Sequence, residues 1–427
     1  MAEMSDTHAT HEHTASIDEV ITTVIMSRVT DFFGFFVYGI ACVLVFPQLF
    51  FPTFGAIEGT MLAFATFALA FVVRPFAQLG GRALQRRIGK IAKITIALFI
   101  LGTATVAIGL LPGYETAGWV APAALVALRI AQGIGLGLAW DGITLQLRNA
   151  APEGYEARYA MVAQLGGPFG FAVAASLFYV LTGFLTLEEF YQYGWRFAFF
   201  AVMAVNVVSL FARIRLLQTD FGGNEESFQM APFGELIRTQ WRPILLSTAL
   251  PIASYALFHM VTIFPLAWQI LYGAVYIEQL LLWQLIGAGF GIASVIASGY
   301  MADKLGQRAV HWAVTLSIVL LCLTITTLET NPAIYMILGF ILLGFSYGQA
   351  SSIVPGRFPP RFRYSGTALA TNLSWIVGAA FAPLAGLGLT WAFGLWAASL
   401  YLLSGVIVTA VTLYLLGRQE AAQLDHG

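Results

Sequence analysis

The sequence predicts an all-α integral membrane protein of twelve membrane-spanning helices in two six-helix bundles. Three observations lead there. The 427 residues are 59% hydrophobic and only 10% charged, with a mean hydropathy of +0.79; soluble domains carry about a quarter charged residues. The apolar residues gather into twelve runs, each near the roughly 20 residues a bilayer-crossing helix needs. A polar stretch divides six runs from six. Helices are favoured over strands because a membrane core holds no water to satisfy backbone groups. Barrel strands would also alternate in roughly 10-residue pieces, and these runs do not.

Residues 1–20 are polar, carry five acids, and lack the basic start and apolar stretch of a signal peptide, so they read as a cytoplasmic tail. Spans are expected near 21–46, 60–80, 92–112, 120–147, 158–183 and 195–217, which form the first bundle, 21–217. The stretch 218–242 (Thr219, Asp220, Gly222, Gly223, Asn224, Glu225, Glu226, Pro232) reads as a cytoplasmic linker. The second bundle, 243–417, has spans near 243–269, 280–302, 310–329, 333–355, 365–388 and 391–416, with a closing tail at 418–427. An internal repeat supports the division: Gly81–Lys90 (GRALQRRIGK) follows the second run and Gly299–Arg308 (GYMADKLGQR) the eighth, with Gly89 and Gly306 217 positions apart. Duplicated halves with substrate near the midplane are a transporter architecture.

Basic residues set the orientation. Of 21 Lys and Arg, Arg196 alone falls in an outer loop and Arg28, Arg74 and Arg129 fall within spans. The other 17 fall on the side expected to be cytoplasmic, together with both termini. The outer loops instead hold Glu58, Glu115, Glu188, Glu189, Glu278 and Glu329.

A net charge of −1 argues against a nucleic-acid partner. Cys42 and Cys322 lie in apolar runs and suggest neither a disulfide framework nor a zinc site. The runs Gly133, Gly135, Gly137 and Gly287, Gly289, Gly291 are no nucleotide loops, since no strand precedes them. They read as close helix packing. With no Walker motif and no catalytic constellation, the chain reads as neither an ATP-driven pump nor an enzyme, with no cofactor and no metal site expected.

Six motifs follow in order: Phe46–Pro52 (FPQLFFP), Arg74-Pro75 with Arg87-Ile88-Gly89-Lys90, Leu128–Gly133 (LRIAQG), Gln164–Pro168 (QLGGP), Gly194-Trp195-Arg196, and Phe358–Gly366 (FPPRFRYSG) with Asn372 after it. With twelve spans in two halves, they resemble the major facilitator superfamily and, within it, the metabolite:proton symporter family. The resemblance implies the major facilitator fold and movement of organic acids, osmolytes and related small solutes. The chain departs from that family at positions tied to ion handling. Where the family has EWYDF, this chain has Asp31–Phe35 (DFFGF), with Gly34 at the second acid. The Glu of GGEWGG is Ala139, and an acid, Asp141, follows two places later. The Asp of the first-half loop is Arg86, whereas the second half keeps Asp303; Thr371 stands where a tyrosine is expected.

Charges within spans are costly, about 2.5–3.5 kcal/mol at the bilayer centre on insertion scales, and by default mark function. Arg28 and Asp31 share a helix face three residues apart. They read either as a self-neutralising pair or as a proton-sensing acid and its resting partner. Arg129, with Gln132 one turn deeper, is expected to line the cavity and grip the substrate's anionic group through its planar fork; packing against a helix-end carbonyl is the alternative. Asp141 is too far along the same helix to pair with Arg129 and reads as an inner-gate ion pair or a relocated proton site. His259, taken as the only titratable group inside the second half's spans, is a proton-site candidate or a satisfied neutral side chain. Arg74, Arg87, Asp303 and Arg308 read as gate elements. Tyr38, Trp140, Asn372 and Trp375 complete the expected substrate site, while Phe32 and Phe33 read as packing. His8, His11, Glu12 and His13 have metal-like density, but in a tail without a second ligand set.

These observations predict an inner-membrane secondary transporter moving a small anionic or zwitterionic metabolite with protons. Its partners would be that solute, protons and the lipid bilayer. Two other readings remain at this point. One is a transporter-derived accessory subunit with a membrane-protein partner, suggested by Gly34 and Ala139. The other is a metal-ion transporter, suggested by the histidines. For the topology, cysteines placed at Glu188 and Arg361 are expected to react with an impermeant reagent from opposite membrane faces; labelling from one face would overturn it.

Overall fold

The computed structural model describes residues 17–139, 143–149, 151–218, 231–273, 275–350 and 352–424. Twelve helical passes run through it. The first half holds Asp18–Leu44 (span 1), Ala56–Ile88 (span 2), Lys90–Leu110 (span 3), Val120–Leu138 (span 4), Glu156–Phe184 (span 5) and Leu187–Phe211 (span 6). The second holds Phe233–Tyr272 (span 7), Ile277–Leu305 (span 8), Gln307–Leu323 (span 9), Pro332–Arg357 (span 10), Pro360–Phe393 (span 11) and Leu395–Gln419 (span 12). Span 9 is the shortest, at 17 residues.

Several boundaries differ from expectation, among them the ends of the span 4 helix at Leu138 against 147 and of span 9 at Leu323 against 329. Span 2 runs to Ile88, eight residues past the expected end at 80, because its last turns carry Arg82, Arg86 and Arg87, which a helix leaving the membrane tolerates. The seventh pass begins with a helix at Phe233, inside the stretch expected to be linker. Its first turns follow a helical pattern that a search for continuous apolarity overlooks.

The repeat appears as two matching turns. Gly89 ends span 2 at φ +86° and Gly306 ends span 8 at φ +86°. Their N–H groups donate to Gln85 O (2.9 Å) and Ala302 O (3.0 Å), closing each helix. Only glycine takes this left-handed conformation without strain.

Glycines also set the helix pairs. A Cβ on Gly137 of span 4 would lie 2.3 Å from Arg74 O of span 2. In the second half, a Cβ on Gly344 of span 10 would lie 2.4 Å from Gly291 O of span 8. Such close backbone approach requires residues without side chains. Gly289, by contrast, faces open space.

Several spans are interrupted. A 3₁₀ turn, Ala163–Leu165, breaks span 5. Span 7 is divided at Pro251 and again at Ile263, ahead of Pro265; proline removes a backbone donor and clashes with the preceding turn. A π-helical segment, Trp375–Ala380, interrupts span 11. The halves meet where Gly39 of span 1 packs on Ile263 of span 7, and where Gly299 of span 8 packs on Arg158 and Met161 of span 5.

Gly344→Ala is expected to lower the melting temperature of the purified protein, since overpacking costs about 1–3 kcal/mol. Gly289→Ala is expected to raise it slightly through helix propensity, by up to about 1 kcal/mol. Equal shifts in the two variants would contradict the packing assignment.

Candidate functional site

Charge enters the interior at one cavity of about 60 Å³, lined by Arg28, Asp31, Phe32, Phe35, Ala70, Phe71, Arg74, Leu136, Ala139 and Trp375. Span 1 supplies the acid. Arg28 Nη1 lies 3.4 Å from Asp31 Oδ2, the pair that three-residue helical spacing dictates. Both side chains are about one-fifth exposed. Arg74 of span 2 faces the same space, within electrostatic reach of Arg28 and Asp31. Its buried Nε has no hydrogen-bond partner, and it forms no ion pair among the described residues. Among the described residues, two guanidinium groups therefore share one carboxylate.

Arg74 was expected at a gate. The longer span 2 explains the difference: Arg74 lies 14 residues from Ile88, about 21 Å along the helix. It sits within the bundle and not at its end. Phe32, expected to pack, also lines the cavity.

Aromatic rings close the space on one side. Trp375 stacks on Phe71 with centroids 5.6 Å apart and contacts Tyr255 at 4.7 Å. Phe35 meets Phe67 at 5.0 Å, and Phe36 stacks on Phe258 at 5.6 Å. His259 lies inside this cluster, 5.1 Å from Phe67, with Nδ1 3.3 Å from Thr262 Oγ1 and Nε2 unpartnered. It is fully buried and does not line the cavity.

Arg129 and Gln132 lie on the far side of Phe67, outside the cavity lining. Arg129 is only 2% exposed. Its Nη1 donates to Gln132 Oε1 (2.9 Å) and its Nη2 to Phe67 O (3.1 Å). Gln132 Nε2 donates to Thr105 Oγ1 (2.8 Å), and the guanidinium carbon sits 3.8 Å from the centroid of the Tyr38 ring. The Tyr38 hydroxyl is bonded to Thr66 (2.8 Å). Arg129, Gln132 and Tyr38, expected to bind substrate, thus bond to one another's neighbours Phe67, Thr105 and Thr66 inside the first-half wall, with the buried Arg129 Nε left without a hydrogen-bond partner. The carbonyl alternative describes Arg129 better here, because Phe67 O and a ring face replace the missing carboxylate. Asn372 bonds through its side-chain nitrogen to Gln78 Oε1 across the halves and does not line the cavity. Trp140 and Asp141 lie outside the described residues, as do His8, His11, Glu12 and His13.

The comparisons agree with this architecture. A model of the Major Facilitator Superfamily matches residues 121–372, more than half the chain. The inner membrane metabolite transport protein YhjE of Escherichia coli is 33% identical over 94% of each chain. The chain belongs to the major facilitator superfamily. The shikimate transporter of Escherichia coli is 28% identical over 92% of this chain and 93% of its own. A crystal structure of a D-xylose-proton symporter superposes with a TM-score of 0.70 at 16% identity, covering 93% of this chain and 97% of that one, a likeness of fold. As a major facilitator protein the chain is a multi-pass membrane transporter of small molecules and not an enzyme.

The two departures from the family acids have different settings. A Cβ on Gly34 would meet Val202 of span 6 at 2.9 Å, so this position faces helix packing. Ala139 lines the cavity, so the family acid expected there is absent from the cavity itself.

At the basic end of this facilitator, Asp303 ties span 8 to span 5. Its Oδ2 lies 2.7 Å from Arg158 Nε, and its Oδ1 accepts the Ala157 N–H (3.0 Å) in the first turn of a helix. Arg86 and Arg87 are exposed and form no ion pair among the described residues. Arg308, expected at the gate, donates to Leu413 O (3.1 Å) within its own half. Sequence reasoning passed over Arg158 as a loop cation and overlooked His311, buried in span 9 with Nδ1 2.8 Å from Gln307 O. The expected span 310–329 already contained it.

Removing one partner of a mostly buried pair costs about 3–5 kcal/mol. Asp303→Asn is therefore expected to shift the population toward states open at the basic end. Spin labels across the span 5–span 8 seam would report longer distances. An unchanged distribution would contradict the assigned role.

Proposed function

We propose that this facilitator moves a small carboxylate-bearing metabolite together with protons, across an inner membrane with the basic end cytoplasmic. The observation that carries this reading is the cavity's charge: Arg28 and Arg74 flank it, and among the described residues Asp31 is the one acid that lines it. A single carboxylate would balance the surplus positive charge, and a guanidinium fork suits its two oxygens. Phe32, Phe35, Phe71 and Trp375 offer apolar faces for the rest of the solute. Ala139, where the family has an acid, adds no negative charge to the cavity.

The coupling follows from electrostatics. Ionised Asp31 occupies Arg28. Protonating Asp31 removes that partner and leaves both guanidinium groups for one anion. Proton and solute then bind with the same sign, which is symport. Arg129 supports the wall in this mechanism and does not touch the solute. The K/R asymmetry and the inner-membrane relative support the orientation and location. Relatives named for shikimate and for proline/betaine transport support a small organic solute. A charged central cavity weighs against the accessory-subunit reading. Among the described residues no group of three or more His, Cys, Asp or Glu is placed to hold a metal ion.

Arg74→Lys keeps the charge and loses the planar fork; solute affinity is expected to fall at least about tenfold, or about 1.4 kcal/mol. Asp31→Asn is expected to abolish the response of vesicle uptake to an imposed pH gradient while sparing solute exchange. Wild-type behaviour in both variants would overturn the proposal.

A further inference from the structure

A second, larger cleft of about 560 Å³ opens at the basic end and shares no lining residue with the central cavity. Arg148, which closes the helix Ile143–Asn149 at the end of the fourth pass, comes from the first half. Arg242 of span 7 and Arg357 of span 10 come from the second, with Gln307, Ser352, Gly356 and Gln419 beside them. No acidic side chain lines the cleft among the described residues. Arg148 also feels Arg363 and, less strongly, Glu156. The Nε atom of Arg148 is buried without a hydrogen-bond partner. A buried donor left unmade costs about 1–3 kcal/mol, so a ligand that accepts from it gains correspondingly. Arg357 has further contacts of its own; Arg148 and Arg242 carry the argument.

We propose that this cleft binds a phosphate-bearing anion, either an acidic phospholipid headgroup or a free phosphate compound. Arginine forks converging from three helices match a tetrahedral group with several acceptor oxygens, which a planar carboxylate does not offer. The lipid source is within reach, because basic pockets between helices at a membrane face are headgroup sites. A bound anion would join Arg148 to Arg242 and so hold the two halves together at this end. That gives the carrier a means of sensing its surroundings separate from the solute cavity.

The test uses the full-length protein in nanodiscs of phosphatidylcholine or phosphatidylglycerol, with inorganic pyrophosphate added and chloride matching the ionic strength. Wild type is expected to melt higher with pyrophosphate, with phosphatidylglycerol, or with both, since a ligand of the folded state stabilises it by mass action. A response to pyrophosphate in neutral discs identifies a free phosphate; a response to phosphatidylglycerol alone identifies the lipid; both support the site. Arg148→Gln and Arg242→Gln are expected to weaken the response at least tenfold in ligand concentration. Arg242→Lys, at an exposed position, keeps the charge and tests the fork without risk to folding. Three outcomes would overturn the proposal: no response to either ligand, the same response in wild type and every arginine variant, or a response confined to Glu420→Gln, which would assign the cleft to the chain's own acidic tail.

Discussion

An ionised side chain in hydrocarbon carries a cost of several kcal/mol, and the surrounding protein must offset it. Three arginines lie within the expected spans, and each is accommodated differently. Arg28 has a carboxylate one turn away. Arg129 has a carbonyl, an amide and the face of a tyrosine. Arg74 has the cavity and no ionic partner among the described residues. The gradation is one of position: Arg129 is held inside the wall, and Arg74 faces the cavity. Phe67 joins the two settings, with its carbonyl on Arg129 and its ring against Phe35 and His259.

The architecture was legible because lipid imposes it. Long apolar runs, loop charge and the repeat around Gly89 and Gly306 each follow from backbone satisfaction or helix termination, which are local effects. The Arg28–Asp31 pair was legible for the same reason, since both residues lie on one helix turn. Arg74 and Arg129 lie elsewhere than expected because depth and direction depend on where a helix ends and which neighbour it meets. A few extra turns on span 2 carried Arg74 inward. The Tyr38 ring, 91 positions away in sequence, supplied Arg129 with a partner that no spacing along span 4 reveals. Asn372 was recognised as part of a motif, but its contact with Gln78 depends on the opposite half.

The duplicated halves are alike in frame and unlike in chemistry. Paired glycines bring spans 2 and 4, and spans 8 and 10, together by the same close approach. The solute cavity draws its charges from the first half, with Trp375 contributed by the second. Both halves have interrupted spans: span 5 at Ala163–Leu165 in the first, and in the second span 7 at Pro251 and Ile263 and span 11 with its π-helical segment at Trp375. Irregular helix turns at such positions are common at functional sites.

The unequal seams at the basic end set the geometry of motion. Spans 5 and 8 are joined by an ion pair and a capped helix start at Asp303. Spans 2 and 11 are joined by the neutral side chains of Gln78 and Asn372. Two bundles fastened more firmly along one edge do not part like the jaws of a clamp. They would turn as a door does, about the fastened edge, with the greatest travel at the other. The axis of such a swing would pass near Arg158 and Asp303, and the first gap would open beside span 2, the helix that carries Arg74. A solute arriving from this end would then enter from one side and meet the unpaired guanidinium before it reaches the Arg28–Asp31 pair.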